Sequence, residues 1–162
     1  MPNNQQRPRI TIRTMTIDDL APVFHLGEKI FTYRKSPTLY RTWDEFEVAE
    51  FFVGSNECCF VAEMNEKIIG FLLGYIIDRK KASRKVGYLT WIGVDHDIEG
   101  RGVAHRLFEK FHQTMEENEV ELLLVDSDAS NKRALDFFER VGFTSPRDHL
   151  YLSLKMDEWD RP

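Results

Sequence analysis

The chain has 162 residues, 42% hydrophobic and 30% charged, with a net charge of −5. That length and balance suit a single globular domain, here taken as residues 1–162, with a sizeable core, and they exclude a disordered chain. No apolar run is long enough to span a membrane and residues 1–9 hold no apolar leader, so a cytoplasmic location is the default expectation; the acidic balance argues against a nucleic-acid partner.

Residues 9–13 alternate and predict a first strand, with residues 1–8 expected to be disordered. Thr16-Ile17-Asp18-Asp19 reads as a capping box opening a helix. Ile17, Leu20, Phe24, Gly27 and Phe31 then recur at helical spacing. Thr42-Trp43-Asp44-Glu45 reads as a second capping box, opening a shorter helix through Phe52. Between the two helices, residues 32–41 are polar and aromatic and are broken by Pro37.

Residues 58–64 and 68–77 predict a hairpin turning at Asn65-Glu66-Lys67. Cys58 and Cys59, the chain's two cysteines, are neighbours on that strand and point to opposite faces. That reads as core packing, with no disulfide and no metal site. After a charged loop at 78–85, residues 86–94 predict another strand. Residues 103–117 predict a helix that buries Val103, Leu107, Phe108, Phe111 and Met115. A strand follows at 120–125, then a helix at 131–141 with Ala134, Phe137, Phe138 and Val141 inward, ended by Gly142. A short strand near Phe143 and a last one at 149–156 complete the order. The expectation is an α/β domain with a mixed sheet of six to seven strands and about four helices.

The joint between strand 86–94 and helix 103–117 carries two glycines, Gly100 and Gly102. Such a turn exposes backbone N–H groups where a helix N-terminus adds partial positive charge, which suits a phosphate. The loop lacks the Gly-x-Gly-x-x-Gly spacing of dinucleotide sites and the Gly-Lys-Ser/Thr of a P-loop. The alternative is a plain tight turn.

Two motifs together resemble those of the Gcn5-related N-acetyltransferase family. Glu99-Gly100-Arg101-Gly102-Val103-Ala104 is similar to that family's Arg/Gln-x-x-Gly-x-Gly/Ala signature. Asn131, Ala134, Phe138, Gly142 and Phe143 match its Asn-x-x-Ala-x-x-x-Tyr-x-x-x-Gly-Phe helix. The resemblance covers about residues 9–156 and is strongest toward protein N-terminal acetyltransferases. It implies acetyl-coenzyme A as cofactor, with the pyrophosphate on the backbone of residues 100–104 and the pantetheine arm paired to Ile92, Gly93 and Val94. Asn131 and Phe138 would line the thiol end. It also implies an amine acceptor, either a protein N-terminus or lysine or a small amine, attacked directly in a ternary complex. Many members of that family are dimers, and nothing in the sequence marks an interface.

The chain departs from the pattern twice. Glu99 replaces the usual Arg or Gln, and a carboxylate there repels a pyrophosphate; Arg101 beside it is expected to compensate in part. Phe138 replaces the Tyr that serves the family as general acid. Thiols leave readily as thiolates, since their ordinary pKa is near ~8.5. A catalytically weak cofactor-sensing module is the alternative.

The amine must lose a proton before it attacks, and the developing oxyanion needs a donor such as the Val94 N–H. Tyr88 takes the position where many family members carry Glu. It either orders a water that accepts the proton or serves as packing. Asp126 follows the strand at 120–125, facing the expected gap, while Asp128 reads as a loop cap. Tyr33 and Tyr40 are the candidate acceptor contacts, with Trp43 and Trp91 adding to an aromatic wall and Phe46 expected in the core. His105 lies at the helix start, and His112 is expected on the surface.

Overall fold

The computed structural model describes residues 8–32, 43–78, 84–144 and 146–150, together with residues 152, 154, 156 and 157. Its frame is one sheet in the order β1-β2-β3-β4-β5. β1 (Ile10–Thr14), β2 (Cys59–Met64), β3 (Lys67–Ile77) and β4 (Val86–Val94) pair antiparallel in succession, and β5 (Leu122–Val125) joins β4 in parallel. α1 (Leu20–Ile30) and α2 (Glu45–Ser55) pack on one face; α3 (Val103–Glu117) and α4 (Lys132–Arg140) pack on the other.

With helices on both faces, β2 buries consecutive residues. Phe60 and Ala62 meet α3, while Cys59 and Val61 meet α1 and α2. Cys58 and Cys59 fall in the two different core clusters, and both are free thiols. The β2–β3 hairpin turns on two residues, Asn65 and Glu66, both at positive φ (52° and 60°). That is the turn whose twist matches paired strands.

Asp19 does close the first helix start. Its Oδ2 accepts from the Thr16 N–H at 2.8 Å and from the Thr16 hydroxyl at 3.0 Å. It also receives both terminal nitrogens of Arg13, at 2.6 and 2.9 Å, and Arg13 reaches on to Glu63. The second helix starts later than the sequence pattern suggests. Asp44 caps α2 by accepting from the Glu47 N–H at 2.8 Å, and Thr42 lies outside the described residues.

Three further expectations change. The buried face of α1 is Val23, Leu26 and Gly27, whereas Ile17 is 66% exposed, because the 3₁₀ turn at Ile17–Asp19 breaks the phase ahead of the helix. Phe46 is 74% exposed: Val48 turns to the sheet, and that leaves Phe46 on the outer side of the first turn of α2. Among the described residues the sheet has five strands, not six or seven. Phe143 packs against Phe108 and Phe138 instead of forming a strand. Of the expected last strand, Leu150, Leu152, Leu154 and Met156 are exposed and carry no strand pairing; residues 151, 153 and 155 lie outside the described set, as do residues 1–7.

Candidate active site

β4 and β5 pair only from Val86↔Leu122 to Leu89↔Val125. β5 then ends, while β4 continues through residues 90–94. Among the described residues, no strand covers that edge of β4. A bulge lies at the parting. Leu73 faces Trp91 and Gly74 faces Leu89, so Thr90 is the extra residue of β4.

The bulge reverses the alternation of the strand. Leu89 packs in the α3-side cluster and Trp91 in the cluster under α1 and α2, although residues two apart on a regular strand share a face. Tyr88 therefore lies on the same side as Trp91. Its ring stacks on Tyr75 at 5.5 Å, and Tyr75 packs against Phe51 of α2.

A cleft of about 1200 Å³ fills the gap between the parted strands. Of the residues singled out in the sequence, Ile92, Gly93, Val94, Glu99, Gly100, Gly102, Val103, Ala104, Asp126, Asn131 and Phe138 line it. Arg101 does not line it and is exposed, and Tyr88 meets it only through Asp126. Tyr33 and Tyr40 lie outside the described residues.

Each wall has a local cause. The Asp95 N–H donates to the Ile69 carbonyl of β3 at 2.8 Å. Successive N–H groups of a strand point to opposite edges, so those of Val94 and Ile92 face the open side. Gly100 and Gly102 have φ of 77° and 73°. A Cβ at either would meet nothing within 4 Å, so backbone conformation and not space calls for glycine. A left-handed L-residue costs ~1–2 kcal/mol. These turns lead into α3, whose first N–H groups have no acceptor within the helix. Such a cradle fits a pyrophosphate.

Glu99 does not simply face water. Its Oε1 receives Arg133 Nη2 and His96 Nδ1, each at 2.7 Å. Those two donors, Arg133 foremost, hold the carboxyl below the usual carboxylate range. The Glu99 charge is thus met by Arg133 of α4. The sequence reading passes over Arg133 because its partner is 34 positions away and no helical spacing connects them.

The far end of the cleft is apolar. Phe138 is 7% exposed and meets Phe137 and Phe143 edge-on, at 5.5 and 5.6 Å. Asn131 caps α4, its Oδ1 accepting from the Ala134 N–H at 3.2 Å.

The Tyr88 hydroxyl donates to Oδ1 of Asp126, the residue just beyond β5. The two were singled out separately in the sequence, and the structure brings them together. Burial is the main cause that pushes the Asp126 carboxyl above its ordinary range. Asp128 accepts from the Ser130 N–H at 2.8 Å and shapes its loop. His105 lines the cleft mouth and pairs with Glu109 at 3.3 Å; His112 is exposed on α3.

Phe31 and Trp91 line the cleft on its α1 side, with ring centroids 4.7 Å apart. Trp91 is only 4% exposed, and its Nε1–H donates to Glu47 at 2.8 Å. Trp43 stacks on Phe71 and bonds to the Phe24 carbonyl, behind that wall and not in it. Among the described residues, no cluster of His, Cys, Asp or Glu is arranged to hold a metal ion, and no helix is long and apolar enough to cross a membrane.

Known proteins are similar to this chain in sequence and fold. N-alpha-acetyltransferase 30 of Xenopus laevis is 28% identical over 87 residues, 54% of this chain and 32% of that protein. L-2,4-diaminobutyric acid acetyltransferase of Halalkalibacterium halodurans is 27% identical over 132 residues, 82% of this chain and 64% of that protein. The chain therefore spans less than two thirds of either relative. The crystal structure of the NatC complex bound to Gag peptide and CoA has a chain that superposes with a TM-score of 0.72. It is 18% identical and covers 86% of this chain and 87% of its own. A family model matches residues 20–143, from the start of α1 past the end of α4, and by that match the chain belongs to the acetyltransferase (GNAT) family.

Proposed function

We propose that this protein is an acetyl-coenzyme A-dependent N-acetyltransferase, acting on a primary amine by direct attack in a ternary complex. One observation carries the catalytic reading. The Tyr88 hydroxyl and the Asp126 carboxyl meet where β4 and β5 part, and Asp126 lines the cleft there. The cofactor would be held by the N–H cradle of residues 100–104, the open edge of β4 at Ile92 and Val94, and Asn131 and Phe138. Bound there, it supplies an activated acetyl thioester.

The chain's own residues do the rest. Asp126 accepts the amine proton through an ordered water, with the Tyr88 hydroxyl holding its carboxyl in place; its raised pKa makes it a stronger base than an ordinary carboxylate. The Val94 N–H faces the open edge, where a developing oxyanion needs a donor. Phe138 and its aromatic neighbours exclude water and offer no proton, and a thiolate leaving group with an ordinary pKa near ~8.5 needs none.

For the acceptor, the reading favoured is a protein N-terminus or lysine. The similarity to an N-alpha-acetyltransferase and the aromatic residues beside Trp91 support it. A small amine is the second reading. It is supported by the similarity to L-2,4-diaminobutyric acid acetyltransferase over a longer share of the chain.

The test is thiol release from acetyl-coenzyme A with a diverse peptide set and a diamine set. Turnover of peptides, reduced about 10²-fold in Tyr88→Phe or Asp126→Asn, is expected for loss of a general base. Turnover of diamines alone would reverse the acceptor choice. Unchanged rates in both variants would remove Tyr88 and Asp126 from the mechanism.

A further inference from the structure

Glu99 and Arg133 stand on opposite walls of the cleft. Glu99 immediately precedes Gly100 in the loop between β4 and α3, whereas Arg133 lies in the first turn of α4. Their 2.7 Å pair joins the walls, with His96 closing on the same oxygen. The Arg133 side chain is 71% exposed and that of Glu99 31%, so the guanidinium can leave without losing buried contacts. α4 is anchored at its other half, where Phe137, Phe138 and Val141 pack on the core.

We infer that Glu99 and Arg133 form a latch on the cofactor cleft, in which Arg133 exchanges its carboxylate partner for a phosphate of the cofactor and Glu99 competes against that exchange. This inference rests on the cofactor reading above. Guanidinium forks onto carboxylate and phosphate with the same planar geometry. An exposed ion pair is weak and easily exchanged. The cation that a Glu at position 99 denies to the glycine loop is then supplied from α4.

The test is calorimetric titration with coenzyme A of the parent chain, Glu99→Gln, Arg133→Gln and the double variant, at low and high salt. Thermal melts establish that each is folded. Glu99→Gln is expected to bind about three- to tenfold more tightly, and Arg133→Gln weaker by a similar factor with a flatter salt dependence. The double variant should fall between the two. A pair that only docks α4 predicts weaker binding in both single variants. That result, or an unchanged affinity in Glu99→Gln, would overturn the latch while leaving the cofactor reading intact. Absence of binding by the parent chain would overturn both.

Discussion

Replacing Gly27 with alanine sets two physical effects of opposite sign against each other. Gly27 is a buried residue of α1, and alanine is the better helix former by ~1 kcal/mol. Yet a Cβ there would lie 2.0 Å from Cε2 and 2.2 Å from Cζ2 of Trp43. The indole cannot yield a few tenths of an ångström and stay in place. It stacks on Phe71, meets Trp91 edge-on and donates from Nε1 to the Phe24 carbonyl at 2.9 Å. Overpacking of this kind costs ~1–3 kcal/mol, and loss of the hydrogen bond adds ~1 kcal/mol. After subtracting the propensity gain, Gly27→Ala is expected to destabilise by about 2 kcal/mol, a fall in Tm of about 4–8 °C at this size. Gly54→Ala is the control. It lies on an exposed face of α2, where a Cβ would meet nothing within 4 Å, so the propensity gain should stand alone and raise Tm by a few degrees. Thermal melts followed by near-ultraviolet circular dichroism report both stability and tryptophan packing. A Gly27→Ala variant as stable as the parent, with an unchanged aromatic spectrum, would refute the contact between Gly27 and Trp43 and the aromatic layer built on it.

The Arg13–Asp19 pair predicts an acid-sensitive contribution. Burial alone would raise the Asp19 pKa, but the Arg13 and Thr16 hydrogen bonds outweigh it and hold the carboxyl below its usual value. The resulting stability is fully present above the ordinary carboxylate range and is lost as pH falls through the lowered pKa. Arg13→Gln should therefore cost on the order of 1–2 kcal/mol at neutral pH, a figure reduced for Arg13's partial exposure, and much less near pH 2. Urea midpoints at the two pH values measure this, and equal losses at both would contradict it. Asp126 has the opposite sign. Desolvation raises its pKa, so its contribution to stability is greatest below the unfolded value and is lost as pH rises through the folded one. Asp126→Asn should raise Tm at neutral pH while lowering turnover, as expected where a site keeps a group its environment disfavours; a lower Tm at neutral pH would count against that desolvation. Burial pushes the thiols of Cys58 and Cys59 up to about 12. Neither should react with an aromatic disulfide reagent at pH 8 in the native state, and both should react in denaturant; fast native labelling would show that this core opens.

Much of this protein was legible from local rules. Val86–Val94 and Val103–Glu117 emerge at their observed bounds, the first as an apolar run between charged segments and the second as a long 3.6-period stripe. The two glycines between them carry their own information, since positive φ at Gly100 and Gly102 is a property of the chain at those positions. Asp19 was placed correctly because a capping box is a contact between residues three apart. What local rules leave open lies mostly where one element meets another. Alternation through β4 puts Leu89 and Trp91 on one face, and only pairing with β3 introduces the bulge at Thr90 that separates them. Phe46 and Val48 are both apolar residues near the start of α2, and only docking on the sheet determines which of the two is buried. Tyr88 and Asp126 could each be named from their places on strands, but their contact follows from the parallel register that sets Tyr88 opposite Leu124. The Glu99–Arg133 pair has no local signature at all. The sequence by itself determined most of the elements, the glycine turn ahead of α3 and the family, because those rest on spacing within about one turn or one strand. The tertiary structure alone decided which side chains share the cleft, because strand register, the bulge and helix docking depend on contacts between residues far apart in the chain.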